Sequence, residues 1–225
     1  MQVKRRVPVL AAAHWAIACI ASLALLLVPA RGAGALELNK KPNAAIDGPA
    51  AIQSGETREY SGEGSTDPDG GIASYSWGAA GCGISGRDAP RAQVTCPIPG
   101  PTRVLLTVED NGILGLDPPA LDQQEGSDAK PVCVTGVTGP SNVFLFGYSH
   151  FDVFVPSDAD KVQFVANGPG NIAPTDVVSD DAGVCKRYRV YYVFNRPGTF
   201  NLFAVYLTGG SVSVQSGGYS VVVQG

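Results

Sequence analysis

The stretch Gly64-Ser65-Thr66-Asp67-Pro68-Asp69-Gly70-Gly71-Ile72-Ala73-Ser74-Tyr75-Ser76-Trp77 decides how this chain folds. An acidic Asp-Pro-Asp-Gly turn feeds straight into an alternating segment that ends on a tryptophan. Proline and two glycines fix a reversal, and the alternation after it predicts a strand with one buried face. Working outward, further strands are expected at 44–46, 57–62, 92–96 and 103–108. Turn formers separate them: Asp47-Gly48-Pro49, Ser54-Gly55, Gly81 to Arg87 and Pro97 to Pro101. In Arg103-Val104-Leu105-Leu106-Thr107-Val108, the residues Val104, Leu106 and Val108 share a face, which is the natural partner of Ile72 and Trp77.

Length and composition agree with an all-β reading. The 225 residues suffice for one large or two ordinary domains. The 28 glycines and 17 prolines punctuate short runs rich in valine, phenylalanine and tyrosine. The formal charge is −4. Four of the 16 basic residues (Lys4, Arg5, Arg6 and Arg31) lie in an N-terminal leader, so the remainder carries about −8 against its 20 acids. That balance, with no basic stripe, excludes nucleic acid and an anionic membrane surface as partners.

The leader reads as a signal peptide over residues 1–35. Lys4-Arg5-Arg6 precedes an apolar run from Val7 to Val28, and Ala33-Gly34-Ala35 offers small residues for cleavage. An uncleaved leader would instead anchor the chain in a membrane. Cys19 lies inside the apolar run, which argues against a lipid-attachment site. Beyond the leader remain Cys82, Cys96, Cys133 and Cys185. An even number in an exported chain reads as disulfides, and three pairings are possible. The local bridge Cys82–Cys96 leaves Cys133–Cys185 as the longer one. No Cys-x-x-Cys pair suggests zinc.

The segment Gly64-Ser65-x-Asp67-x-Asp69-Gly70 leading to Ile72-x-x-Tyr75-x-Trp77, followed by Leu106-Thr107-Val108-x-Asp110-Asn111-Gly112, resembles a PKD (polycystic kidney disease repeat) domain. The resemblance covers about residues 42–134 and implies an immunoglobulin-like sandwich that serves as a spacer or adhesion module. It departs from the family after the tryptophan, where Gly78-Ala79-Ala80-Gly81-Cys82-Gly83 replaces the usual Asp-Phe-Gly-Asp-Gly. Its last strand would be 129–134, an edge strand because of Pro131. Some members of the family bind calcium at this end of the sandwich, and the matching positions are Asn43, Asp67 and Asp69. Two carboxylates on one turn suit that hard cation. The bland reading is that Asp67 caps its own turn, and Asp110 is expected to shape a turn through backbone hydrogen bonds.

All eight phenylalanines and six of the eight tyrosines lie beyond Val137, which puts a domain boundary near 136–140. Seven strands are expected there, at 143–147, 151–155, 161–166, 185–194, 199–207, 211–215 and 219–223. They predict a second immunoglobulin-like sandwich over 137–225. The strand 185–194 is apolar on both faces: Tyr188, Val190, Tyr192 and Phe194 on one, Tyr191 and Val193 with Arg189 on the other. The outer face therefore meets the first domain, another chain or a ligand. Tyr148, Phe151 and Tyr191 are the candidates for a sugar-stacking platform. His150 reads as an exposed loop histidine. No Gly-x-Ser-x-Gly elbow accompanies it, so no triad is marked and the chain reads as non-enzymatic.

The resulting expectation is an exported or cell-surface, non-catalytic protein of two immunoglobulin-like domains, contacting extracellular protein or polysaccharide. The alternative is an accessory carbohydrate-binding protein that works beside a secreted hydrolase. No cofactor is required, with calcium the one ion considered.

Overall fold

The computed structural model describes residues 39–112, 123–170, 172–210 and 212–225. The signal peptide over 1–35 and the central part of the loop after Gly112 lie outside the described residues. All regular structure among the described residues is β.

The first half opens with β1 (Ala51–Gln53), β2 (Thr57–Ser61), β3 (Ile72–Ala79), β4 (Gly83–Ser85), β5 (Arg91–Thr95) and β6 (Gly100–Asp110). A long strand follows, β7 (Glu125–Thr138), and then β8 (Asn142–Phe144), β9 (Tyr148–Pro156), β10 (Asp160–Asn167) and β11 (Asp176–Ala182). The chain ends with β12 (Cys185–Val193), β13 (Gly198–Thr208), β14 (Val212–Gln215) and β15 (Tyr219–Gln224). One sheet runs β11-β12-β9-β7-β6-β3, with β1 added in parallel to β7. A second sheet, β2-β5-β4, covers its first half. A third, β10-β13-β15-β8 with β14 beside β13, covers its second half.

Two hydrophobic cores result. Tyr60, Trp77, Val94, Val104, Leu106, Val108, Val132 and Val134 fill the first. Phe151, Val153, Val155, Val190, Tyr192, Phe194, Phe200, Leu202 and Val221 are among those that fill the second. The cores divide between Val134 and Val137, near the C-terminal end of β7. The expected boundary near 136–140 therefore falls at the end of a continuous strand and not in a linker.

The opening stretch behaves as its alternation predicts, with one addition. Trp77 pairs with Leu106 and Tyr75 with Val108, and the register slips between Ile72 and Ser74. Such a slip inserts one residue and reverses the facing of what precedes it. Ile72 and Trp77 have opposite parity in sequence, yet both pack on the first core. The indole Nε1–H donates to Ala89 O at 2.8 Å, which satisfies its one polar atom. The turn that departs from the family pattern is closed by Cys82 N–H to Ala79 O (3.3 Å), by Gly81 at φ 73°, and by the Cys82–Cys96 bridge.

Several elements differ from expectation. Residues 44–46 form no strand, because their backbone is tied by side chains: Ile46 N–H donates to Asp128 Oδ2 and Ala45 N–H to Ser65 Oγ. The strands β1, β4 and β11 were not anticipated; β4 lies within Gly81 to Arg87, which reads as a turn and becomes a strand by pairing with β5. The strand 129–134 extends to β7, which is interior where it meets β6, β1 and β9 but open on one side at Pro131. Cys133 N–H points away from β6, to Ala50 O. Pro131 has the same parity, so its missing N–H falls on the unladdered side.

Candidate functional site

The exposed end of the first sandwich gathers acidic residues, but most of their oxygens are already committed. The Asp110 carboxylate accepts from Asn39 Nδ2 (3.0 and 2.9 Å), Gly112 N–H (2.9 Å) and Gln124 N–H (3.2 Å). Asp110 is fully buried and shapes this loop. Asp69 accepts from Lys40 N–H at 3.0 and 3.3 Å. Asn43 pairs through its backbone with Thr66 and is exposed. Asp67 differs: both carboxylate oxygens are buried without a well-formed hydrogen bond, the nearby Asp69 N–H being no more than a weak donor to them. Desolvation pushes its carboxyl above the usual range; the Asp69 N–H offsets part of this, and the negative charges of Asp69 and Asp110 add to it. A Cβ built on Gly70 would lie 2.6 Å from Asp67 Oδ2 and 2.6 Å from Asn111 Oδ1, so only glycine lets these oxygens close in. Among the described residues no three carboxylate, imidazole or thiol groups are placed to hold a metal ion. The calcium expectation for Asn43, Asp67 and Asp69 thus rests on the oxygens of Asp67, a thin set for a cation that takes six to eight ligands.

The second candidate is the outer face of the β11-β12-β9 sheet. Antiparallel register sets Tyr191 opposite His150, Arg189 opposite Asp152 and Val193 opposite Tyr148. On the other side Asp176 lies opposite Tyr191, and Val178 opposite Arg189. These residues alternate with Val190, Tyr192, Phe151 and Val153, which enter the core. The Tyr148 and Tyr191 rings stack at 5.1 Å with 19° between their planes, and His150 tilts against Tyr191 at 5.9 Å. Tyr148 is 62% exposed. Beside the rings, Arg189 makes a two-pronged contact with Asp152, Nε to Oδ1 at 2.9 Å and Nη2 to Oδ2 at 3.1 Å. That hydrogen bonding holds the Asp152 carboxyl below its usual range. Arg187 pairs with Asp180. Val178, Ser179, Asp180, Arg187, Arg189 and Tyr191 line a shallow depression of about 300 Å³.

Of the three platform candidates, the structure brings Tyr148 and Tyr191 together and separates Phe151 from them. Phe151 is completely buried, with its ring edge-on to Tyr192 and Phe194. It pairs with Val190, whose parity is inward, so it is a core residue and no part of the platform. His150 lies on strand β9 and not in a loop, on the tyrosine face. Ser149 points the opposite way from His150, so the two cannot act as nucleophile and base. The Arg189–Asp152 pair was missed because neither residue belongs to a motif; only the register across β9 and β12 joins them. Both disulfides, Cys82–Cys96 and Cys133–Cys185, are present, with Cα–Cα distances of 4.3 and 5.3 Å.

No protein-family model matches the chain, and no curated protein sequence matches it. Among solved structures it is similar to the ICAM-5 D1–D4 ectodomain fragment, at 14% identity over 80% of this chain and 53% of that one, with a TM-score of 0.30. It is similar to a structure of carbohydrate-binding modules from the β-sandwich superfamily, at 18% identity over 74% and 59%, with a TM-score of 0.37. A third is the Bacteroides ovatus mixed-linkage glucan utilization locus protein SGBP-B in complex with a mixed-linkage heptasaccharide, at 10% identity over 84% and 47%, with a TM-score of 0.26. The chain spans about half the length of the ICAM-5 and SGBP-B structures. Likenesses this distant carry nothing about a ligand.

Proposed function

We propose that this chain is an exported, non-catalytic binding protein that holds a neutral polysaccharide on the outer face of β11, β12 and β9. The observation that carries the proposal is the stacked, solvent-facing pair Tyr148–Tyr191 with His150 at its side. Flat rings on a rigid sheet match the apolar face of a sugar ring at little entropic cost. The adjoining Arg189–Asp152 and Arg187–Asp180 pairs offer fixed donors and acceptors to hydroxyl groups. Each of these guanidiniums is neutralised by a carboxylate, and Asp176 adds negative charge to the same face. An acidic glycan would find repulsion there, so the fitting ligand is uncharged. Two disulfides suit an oxidising compartment. The first sandwich, in this reading, is the PKD-like spacer, and the protein works as an accessory to a secreted hydrolase or as a wall-contact module.

Affinity electrophoresis through gels containing neutral or acidic polysaccharides tests the reading. The wild-type chain should be retarded by at least one neutral polymer, and Tyr191→Ala should weaken that retardation about tenfold or more. Failure of every neutral glycan to retard the wild type would remove the proposal.

A further inference from the structure

From Phe144 to His150 an aromatic ring occurs at every second position: Phe144, Phe146, Tyr148 and His150. The first three are 74%, 68% and 62% exposed, and His150 is exposed as well. The residues flanking the first ring behave oppositely: Val143 is buried and Leu145 packs on the second core. The run spans the turn from β8, at the edge of one sheet, to β9 in the other, so the exposed rings reach the end of the sandwich where Tyr148 stands.

Phe146 is also the strained residue of this turn. Its φ is 58°, a left-handed conformation in which a bulky side chain is an outlier. Three backbone hydrogen bonds impose it: Leu145 N–H to Gln224 O (2.9 Å), Phe146 N–H to Phe194 O (2.8 Å) and Gly147 N–H to Phe144 O (3.0 Å). The fold therefore dictates the backbone here but gains little from the ring, which lies mostly in solvent. Asparagine or glycine would meet the same backbone demand with less strain. An aromatic side chain held at a cost the packing does not repay points to use outside the fold.

We infer that Phe144 and Phe146 extend the Tyr148–Tyr191 platform around the end of the sandwich, so that the ligand is an internal stretch of several sugar units and not a chain terminus. This rests on the polysaccharide reading above and goes beyond it in naming two further contact residues and the form of the ligand. The charge balance of the adjoining face, with both arginines paired, fits the same uncharged chain.

The test measures binding of a length series of oligosaccharides, drawn from whichever neutral polymer retards the wild type, to wild type, Phe146→Asn and Phe144→Ser. For the wild type, affinity should keep rising with length past two or three units. Phe146→Asn should lose about 3- to 10-fold for long chains and nothing for the shortest that bind. Its Tm should be unchanged or higher by a few degrees, because asparagine tolerates positive φ. Equal affinity of wild type and Phe146→Asn for long chains would overturn the inference while leaving the platform itself intact. A Tm several degrees lower would also overturn it, since the ring would then be serving the fold. Sedimentation with phosphatidylcholine vesicles that is lost in Phe146→Asn would assign the two rings to a membrane instead. No binding of any glycan by the wild type would be a failure of the earlier proposal.

Discussion

At the scale of single residues, Asp67 is where the acidic turn departs from comfort. Its neighbours Asp69 and Asp110 spend their oxygens on backbone and amide donors, while both oxygens of Asp67 are buried without a well-formed hydrogen bond. The sign of the pH effect follows. Burial and neighbouring negative charge raise its native pKa above the unfolded value, so the folded chain holds more protons than the unfolded one across the window between them. Stability then falls as pH rises through that window and is constant below it. Asp67→Asn should stabilise the fold at pH 7, by no more than about 1 kcal/mol because the residue as a whole is only half-buried. The gain should disappear as the pH drops below about 4, the ordinary range of an unfolded aspartate. Thermal unfolding from pH 3 to pH 8 measures this. The same variant addresses calcium: millimolar calcium that raises the wild-type Tm and leaves Asp67→Asn unmoved would establish a cation at Asp67, whereas equal curves in calcium and EDTA would remove it. Phe151 gives the complementary lesson. Sequence placed it beside Tyr148 by proximity, but parity along β9 sends it to the opposite face.

At the scale of elements, β7 is the strand on which both sandwiches depend, and its first half is held by an unusually close approach. Gly126 sits opposite Val108, and a Cβ on it would come within 2.1 Å of Pro42 O. That oxygen is backbone in the lead-in segment, which is itself tied by Asp128 Oδ2 to Ile46 N–H. It cannot swing aside as a side-chain tip would. Gly126→Ala should therefore cost about 1–3 kcal/mol, read as a midpoint shift in urea with unchanged slope. A shift below a few tenths of a kcal/mol would show the lead-in to be loosely held. The strands that sequence makes legible are those whose alternation is set by one buried face. In β6, Val104, Leu106 and Val108 are all inaccessible while Leu105 stays exposed. Legibility fails where neighbours and not composition make the strand. The three residues of β1 lie between turn formers and become a strand only by adding to β7. β11 carries Asp176, Asp180 and Asp181, a charged edge that discourages further pairing but hides the strand from a hydrophobic pattern. The platform suffers the same limit: Tyr191 and Arg189 share a face in the sequence alternation, while His150 and Asp152 join them only through the register across β9 and β12.

At the scale of the whole molecule, the question is whether two cores sharing one strand unfold as one. Val132 and Val134 of β7 belong to the first core and Val137 to the second, and the Cys133–Cys185 bridge ties β7 to β12 at that junction. The strand cannot leave one core without dislocating the other, so a single cooperative transition is expected. Alkaline titration counts the coupling directly. Burial pushes Tyr60 in the first core up to about 12, Tyr192 in the second also to about 12, and Tyr206 in the second upward as well. Between pH 10 and 12 the phenols of Tyr60 and Tyr192 ionise in the unfolded chain while the folded one still holds them largely neutral, so unfolding releases protons and stability falls as pH rises. If the cores unfold together, the slope of stability against pH near pH 11 should approach two protons in one transition, one from Tyr60 and one from Tyr192. If they unfold separately, two transitions should appear, each steepening by about one proton. Tyr60→Phe and Tyr192→Phe assign the contributions: in a joined molecule each should flatten the same transition by about one proton. Denaturant unfolding followed by tyrosine absorbance at several alkaline pH values gives the slopes, and two separable transitions, each sensitive to only one of these variants, would show that β7 joins the sandwiches without coupling them.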